Sequence, residues 1–87
     1  MIKSSTKLSV IMSVYNAQET VKKSIKSILD QSYKEFEFLI LDDASKDETF
    51  NICNELKKED KRIELYRNEK NLGLTKSLNK LISYSNG

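Results

Sequence analysis

Histidine and proline are absent from the 87-residue sequence, cysteine occurs once and glycine twice, and most of these scarcities remove a class of chemistry. Without histidine, neither a Ser-His-Asp nor a Cys-His mechanism can be assembled from this chain. The single cysteine, Cys53, excludes an internal disulfide and a cysteine-based zinc site, which suits a reducing compartment. Its expected role is a buried apolar thiol. The glycines are Gly73 and Gly87, so the first turn carries no G-x-G-x-x-G dinucleotide fingerprint, and no P-loop can form. No aspartate stands two positions after another, so a D-x-D pair to hold a metal against phosphates is missing.

A surplus of one charge is missing too. Lys and Arg number 15 against 13 Asp and Glu, a formal net charge of +2, and the signs interleave, as in "KKEDKR", which reads as a solvated helix end. Such a chain has no field strong enough to imply nucleic acid. No apolar run is long enough to cross a bilayer, and "MIKSSTK" lacks the apolar stretch of a signal peptide, so a cytoplasmic protein is expected. What is present is a globular composition, 38% hydrophobic and 32% charged, which argues against disorder. At this length it supports one small domain with a thin stability margin. There is no internal repeat, linker or low-complexity segment.

Leu8 to Val14, "LSVIMSV", is short, β-branched and almost continuously apolar, the pattern of a strand covered on both faces. Asn16 and Glu19 can form a capping box that starts a helix at about Ala17. Val21, Ile25, Ile28 and Leu29 recur at helical spacing and make one apolar stripe, and "QSYKE" breaks the helix. Phe36 to Leu41, "FEFLIL", is a second strand; Ser45 and Glu48 suggest another capping box, followed by a face of Phe50, Cys53 and Leu56, or of Ile52 and Leu56. A third strand, "RIELY", ends near Arg67, the loop "NEKNLG" follows, and Leu74, Leu78, Leu81 and Ile82 line a last helix that "SNG" ends. Three consecutive strand–helix units require parallel strands with right-handed crossovers, hence an open, three-layer α/β parallel sheet.

In such a sheet ligands gather beyond the carboxyl ends of the strands. The loops there are "SVYNAQ", "DDASKD" and "NEKNLGLTK". Tyr15 offers a face for a base, and Asp42 and Asp43 can accept hydrogen bonds from base or ribose. Asn71, Gly73 and Lys76 could approach a diphosphate, Gly73 by close backbone approach and Lys76 by its charge. Plainer roles fit each residue as well. Tyr15 could be an ordinary loop aromatic, the acids could serve a turn, Asn71 and Gly73 could shape another, and Lys76 could be solvated. The functional reading gains weight because all the candidates fall at one end of the three strands. A signalling receiver domain, which also pairs acids at a strand end, would need an aspartate after its third strand, and "IELYRNEKN" has none.

The stretch from "LSVIMSVYN" through "SILDQ" and "DDASKDET" to "NEKNLGLTKSLNKLI" resembles the amino-terminal part of family 2 glycosyltransferases, which have the Rossmann-like GT-A fold and use nucleotide-sugar donors. The resemblance runs from Leu8 to Gly87. It implies that Ser13 and Tyr15 contact the uridine of a UDP-sugar, Tyr15 by stacking, and that Asp43 accepts the uracil N3–H, a donor that cytosine lacks. Asp42 would hold the loop or approach the ribose. Glu19 falls at an acidic position near the pocket, and Asn71, Gly73 and Lys76 pass near sugar and diphosphate. Ser13 and Ala44 depart from the family's usual proline and glycine, which leaves open whether a positive φ is needed at residue 44.

The resemblance further implies that the chain is a truncated donor-binding half. The D-x-D ligands of a divalent cation (Mg or Mn) and the catalytic base would lie beyond it, so alone it would transfer no sugar. The acceptor would be a glycan or lipid-linked glycan in polysaccharide biosynthesis, and the complete protein could be membrane-associated. With the family's strand order, one edge of the first strand lacks a partner; a second copy, giving a homo-oligomer, or the segment Met1 to Lys7 would cover it. A non-catalytic nucleotide-binding or assembly module is the alternative.

Overall fold

The computed structural model describes residues 8–31 and 35–84. Six elements alternate: β1 (Leu8–Val14), α1 (Val21–Leu29), β2 (Phe36–Asp42), α2 (Thr49–Glu59), β3 (Ile63–Arg67) and α3 (Leu74–Tyr84). The strands form one sheet in the order β1-β2-β3, and both pairings are parallel. This is the open α/β sheet expected from the sequence. All seven residues of β2 are buried, because a central strand is covered on both faces and so reads as a continuous apolar run.

Period-two alternation along β2 divides the interior. Phe36, Phe38 and Ile40 face one core, completed by Val14, Val21, Ile25, Cys53, Leu56 and Ile63. Leu39 and Leu41 face the other, where they meet Leu81 of α3 with Ile11 and Tyr66 alongside. Helices α1 and α2 therefore cover one face and α3 the other, giving three layers. Cys53 is fully buried in the larger core, as its expected role requires. Burial pushes its thiol up to about 11, helped by the charge of Asp42.

Three local expectations fail, two of them for the same reason. Helix α1 starts at Val21, not Ala17; its N-cap position, Thr20, makes no side-chain cap bond. Asn16 has φ 47°, a left-handed conformation unlike the extended one of an N-cap, and its Oδ1 accepts the Lys46 N–H at 2.8 Å. Nor do Ser45 and Glu48 form a box. Ser45 Oγ accepts the Asn16 N–H at 2.8 Å, and the Glu48 N–H goes to Gln18 Oε1 at 3.0 Å. Helix α2 starts at Thr49, whose N–H is taken by Asp47 Oδ1 at 2.9 Å, a side-chain turn two residues long. In both cases the capping groups turn to the neighbouring loop.

The third failure lies on α3, where Leu81 is buried but Ile82 is 57% exposed, so the stripe is narrower than expected and Ser77 occupies its centre, fully buried. The side chain of Leu74, the centre of "QSYKE", the terminal "SNG" and Met1 to Lys7 lie outside the described residues.

Candidate functional site

The register places Val14, Asp42 and Arg67 in one row across the carboxyl end of the sheet. Three loops leave from that row, and they are tied to one another rather than folded separately. Loop one meets loop two through Asn16 with Ser45 and Lys46, through the Ala17 N–H on Thr49 Oγ1 at 2.7 Å, and through the Gln18 N–H on Asp47 Oδ2 at 3.2 Å. Loop two meets loop three through Arg67, which donates to the Ser45 carbonyl at 3.0 Å, and through Asp43.

The adjacent acids part company here, as alternation along a strand demands. Asp42 turns to the α1/α2 side. Its Oδ2 accepts the Ser45 N–H at 2.9 Å and lies 3.4 Å from Arg67 Nε, while its buried Oδ1 has no hydrogen-bond partner among the described residues. Arg67 stacks over Phe50, 4.6 Å from the ring centre, which fixes the guanidinium at the mouth. Asp43 turns to the α3 side. Its Oδ1 accepts from Asn68 Nδ2 and from the Leu72 N–H, both at 2.8 Å, and its Oδ2 from the Gly73 N–H at 2.9 Å. Asp43 thus holds the entry to α3 from across the molecule, an acid at a helix amino end where the helix dipole favours it. Burial alone would raise its pKa, but the bonds from Leu72, Asn68, Gly73 and Ser77 outweigh it and hold the carboxyl below its ordinary value.

Two backbone positions make these loops possible. Gly73 has φ 91°, a conformation that favours glycine, and a Cβ there would meet no atom of the described residues within 4 Å, so the turn by itself calls for glycine. Ala44 has φ 64°: the positive φ is required at residue 44 and is adopted by a residue that pays for it.

Beyond the row opens a cleft of about 670 Å³ lined by Tyr15, Ala44, Ser45, Lys46 and Arg67 to Asn71. Lys46, Arg67 and Lys70 outnumber Glu69 on its wall, a balance that suits an anion. Of the residues singled out in the sequence, Tyr15 (45% exposed) and Asn71 line it. Asp43 and Gly73 are bonded to each other beside it, and Asn71 Nδ2 reaches the Asp43 carbonyl at 3.4 Å. The Asp43 N–H donates to the Val14 carbonyl at 2.8 Å, so Tyr15 and Asp43 are the next residues along neighbouring strands. Ser13 is half-buried in β1 opposite Leu41. Glu19 and Lys76 are exposed and do not line the cleft.

Sequence reasoning missed Arg67, Asn68, Ser77 and Lys80. Asn68 is 3% exposed; it donates to Asp43 and, at 3.2 Å, to Ser77 Oγ, and accepts from Lys80 Nζ at 2.8 Å. The one available signal was a small polar residue, Ser77, in the middle of the apolar stripe of α3.

Known proteins bear on this geometry. The profile of glycosyl transferase family 2 matches residues 9–87. EpsE of Bacillus subtilis (strain 168), a glycosyltransferase by its designation, is 44% identical over 85 residues, which cover 97% of this chain and 31% of the relative. The GalNAc(5)-diNAcBac-PP-undecaprenol β-1,3-glucosyltransferase of Campylobacter jejuni is 41% identical over 63 residues, 72% of this chain and 20% of that protein. The solved structure of the mannosyltransferase PcManGT from Pyrobaculum calidifontis, in complex with GDP-Man and Mn2+, superposes with a TM-score of 0.85 at 20% identity, covering 95% of this chain and 26% of its own. The chain thus spans less than a third of the length of these proteins, and its three-layer parallel sheet is that of the GT-A fold. On its sequence, the chain belongs to glycosyl transferase family 2.

Proposed function

We propose that this chain recognises the nucleoside of a nucleotide-sugar, of the UDP-sugar type, and supplies that part of a glycosyltransferase. The observation that carries the reading is the mouth of the sheet, where three cross-tied loops surround one cleft with Tyr15 on its wall and Asp43 at the adjoining strand end. In this reading Tyr15 stacks on the base, and Asp43, at the adjoining strand end, is the acceptor for the base N–H. Ser13 and Asp42 support the same loops, Asn71 and Gly73 flank the diphosphate, and Glu19 and Lys76 act from the periphery.

A divalent cation, Mg or Mn, would neutralise the leaving diphosphate in the complete enzyme. The residues described here do not fit it. Among them no three His, Cys, Asp or Glu side chains gather, and Asp42 and Asp43 face opposite ways. Its ligands, and the base that activates the acceptor hydroxyl, are therefore assigned outside this chain, which alone transfers no sugar. The acceptor is proposed to be a glycan or lipid-linked glycan, by analogy with the undecaprenol-linked substrate in the Campylobacter relative's name. No described helix is long and apolar enough to cross a membrane; a cytoplasmic site with membrane association in the complete protein fits such an acceptor. Among the described residues β1 pairs only with β2, and its other edge is proposed to pair with a second copy or to be covered by the segment Met1 to Lys7.

The alternative, a non-catalytic nucleotide-binding or assembly module, draws support from the Asp43 carboxylate being engaged by the chain itself. Titration with uridine diphosphate tests the donor reading. Saturable binding that Tyr15→Ala and Asp43→Asn both weaken is expected; no binding at millimolar ligand would favour a structural module or a pocket completed by the rest of the enzyme.

A further inference from the structure

Asp43 is a 2% exposed carboxylate with no cation against it among the described residues. Buried carboxylates ordinarily have one. Lys80 reaches Asp43 through a single amide: Lys80 Nζ donates to Asn68 Oδ1 at 2.8 Å, and Asn68 Nδ2 donates to Asp43 Oδ1 at 2.8 Å. An ammonium can only donate, so it commits the Asn68 oxygen to itself. Both N–H groups of the amide are then directed at Asp43 and Ser77, and every polar atom of the Asn68 side chain is used. Lys80 lies one turn beyond Ser77 on the same face of α3.

We infer that Lys80 and Asn68 are positioning residues for base selection, fixing the orientation of the Asp43 carboxylate so that it serves the nucleoside as a hydrogen-bond acceptor. The inference rests on the proposed reading of Asp43. A base with an N–H at that edge, such as uracil, is matched to an acceptor, whereas cytosine presents a bare nitrogen and is refused. Once the relay is cut, the carboxyl loses the bond that orients its Oδ1 and can turn, so that it no longer meets the uracil N–H in line.

The measurement is the ratio of dissociation constants for CDP and UDP, taken on the full-length protein with Lys80→Met, Lys80→Arg and Asn68→Leu variants. The wild-type ratio is expected to favour UDP by roughly ten- to a hundredfold, the range that a hydrogen bond to a charged group supplies. Lys80→Met should lower that ratio by about fivefold and Asn68→Leu by at least as much, while Lys80→Arg, which keeps the charge, should hold it within about twofold. Should Lys80→Met fail to fold, Lys80→Ala removes the same donor and is read the same way. A wild-type protein without preference would overturn the uridine reading itself. A preference that survives in Lys80→Met, with affinity for both nucleotides reduced by one common factor, would overturn the inference and leave that reading standing.

Discussion

On the face covered by α1 and α2, nine buried apolar residues pack together among those described; on the face covered by α3, three do. The deficit on the second face is met by polar contacts, which run from Asp43 to Leu72, Gly73 and Asn68 and on to Ser77 and Lys80. Apolar packing is non-directional and supplies most of the folding free energy. Hydrogen bonds add little net stability each but fix orientation. The first face holds the chain folded, and the second aims the third loop at the cleft.

Substitutions that separate stability from aim sharpen that contrast. Phe38→Ala, in the larger core, should cost about 3–5 kcal/mol, enough to unfold much of a domain this small, and urea denaturation would register it. Leu81→Ala, in the smaller core, should cost about 2–4 kcal/mol. Here amide exchange should quicken across α3 well before α1 and α2; uniform quickening would mean that the faces are not energetically distinct. Asp43→Asn should cost about 1–3 kcal/mol, since an amide oxygen cannot serve three donors as a carboxylate does.

The Asp43 variant also carries a pH signature. The folded pKa is depressed below the ordinary 3.8, so this contribution is fully present above that value and is lost as pH falls through the folded pKa. Wild type should therefore lose an increment of stability below about pH 4 that the variant never had. Ala44→Gly should have the smallest effect, a gain of about 0.5–1 kcal/mol in thermal unfolding, because relief of the positive φ exceeds glycine's entropy cost.

The same contrast explains what the sequence allowed a reader to see. The apolar face of α1 and the continuous run of β2 are properties of neighbouring residues, and both the layer order and Cys53 follow from them. The capping boxes were legible by the same logic and were misleading, since Asn16 and Ser45 bond to partners 29 or 30 residues away. No local pattern records a tie across two loops. Asn68 and Lys80 look like surface residues in "YRNEKN" and "SLNKLI"; their partnership exists only once α3 is laid against the sheet. Tyr15 and Asn71 were legible as wall residues because parallel topology brings every strand's carboxyl end to one side. The opposite turns of Asp42 and Asp43 follow from alternation alone.

Cys53 gives the molecule a built-in reporter. The single sulfhydryl of the chain is sealed beneath the larger core with its thiol raised to about 11, and the thiolate is the reactive form. An alkylating reagent at neutral pH should therefore label the protein at the rate at which that core opens, while motions confined to the α3 side leave no mark.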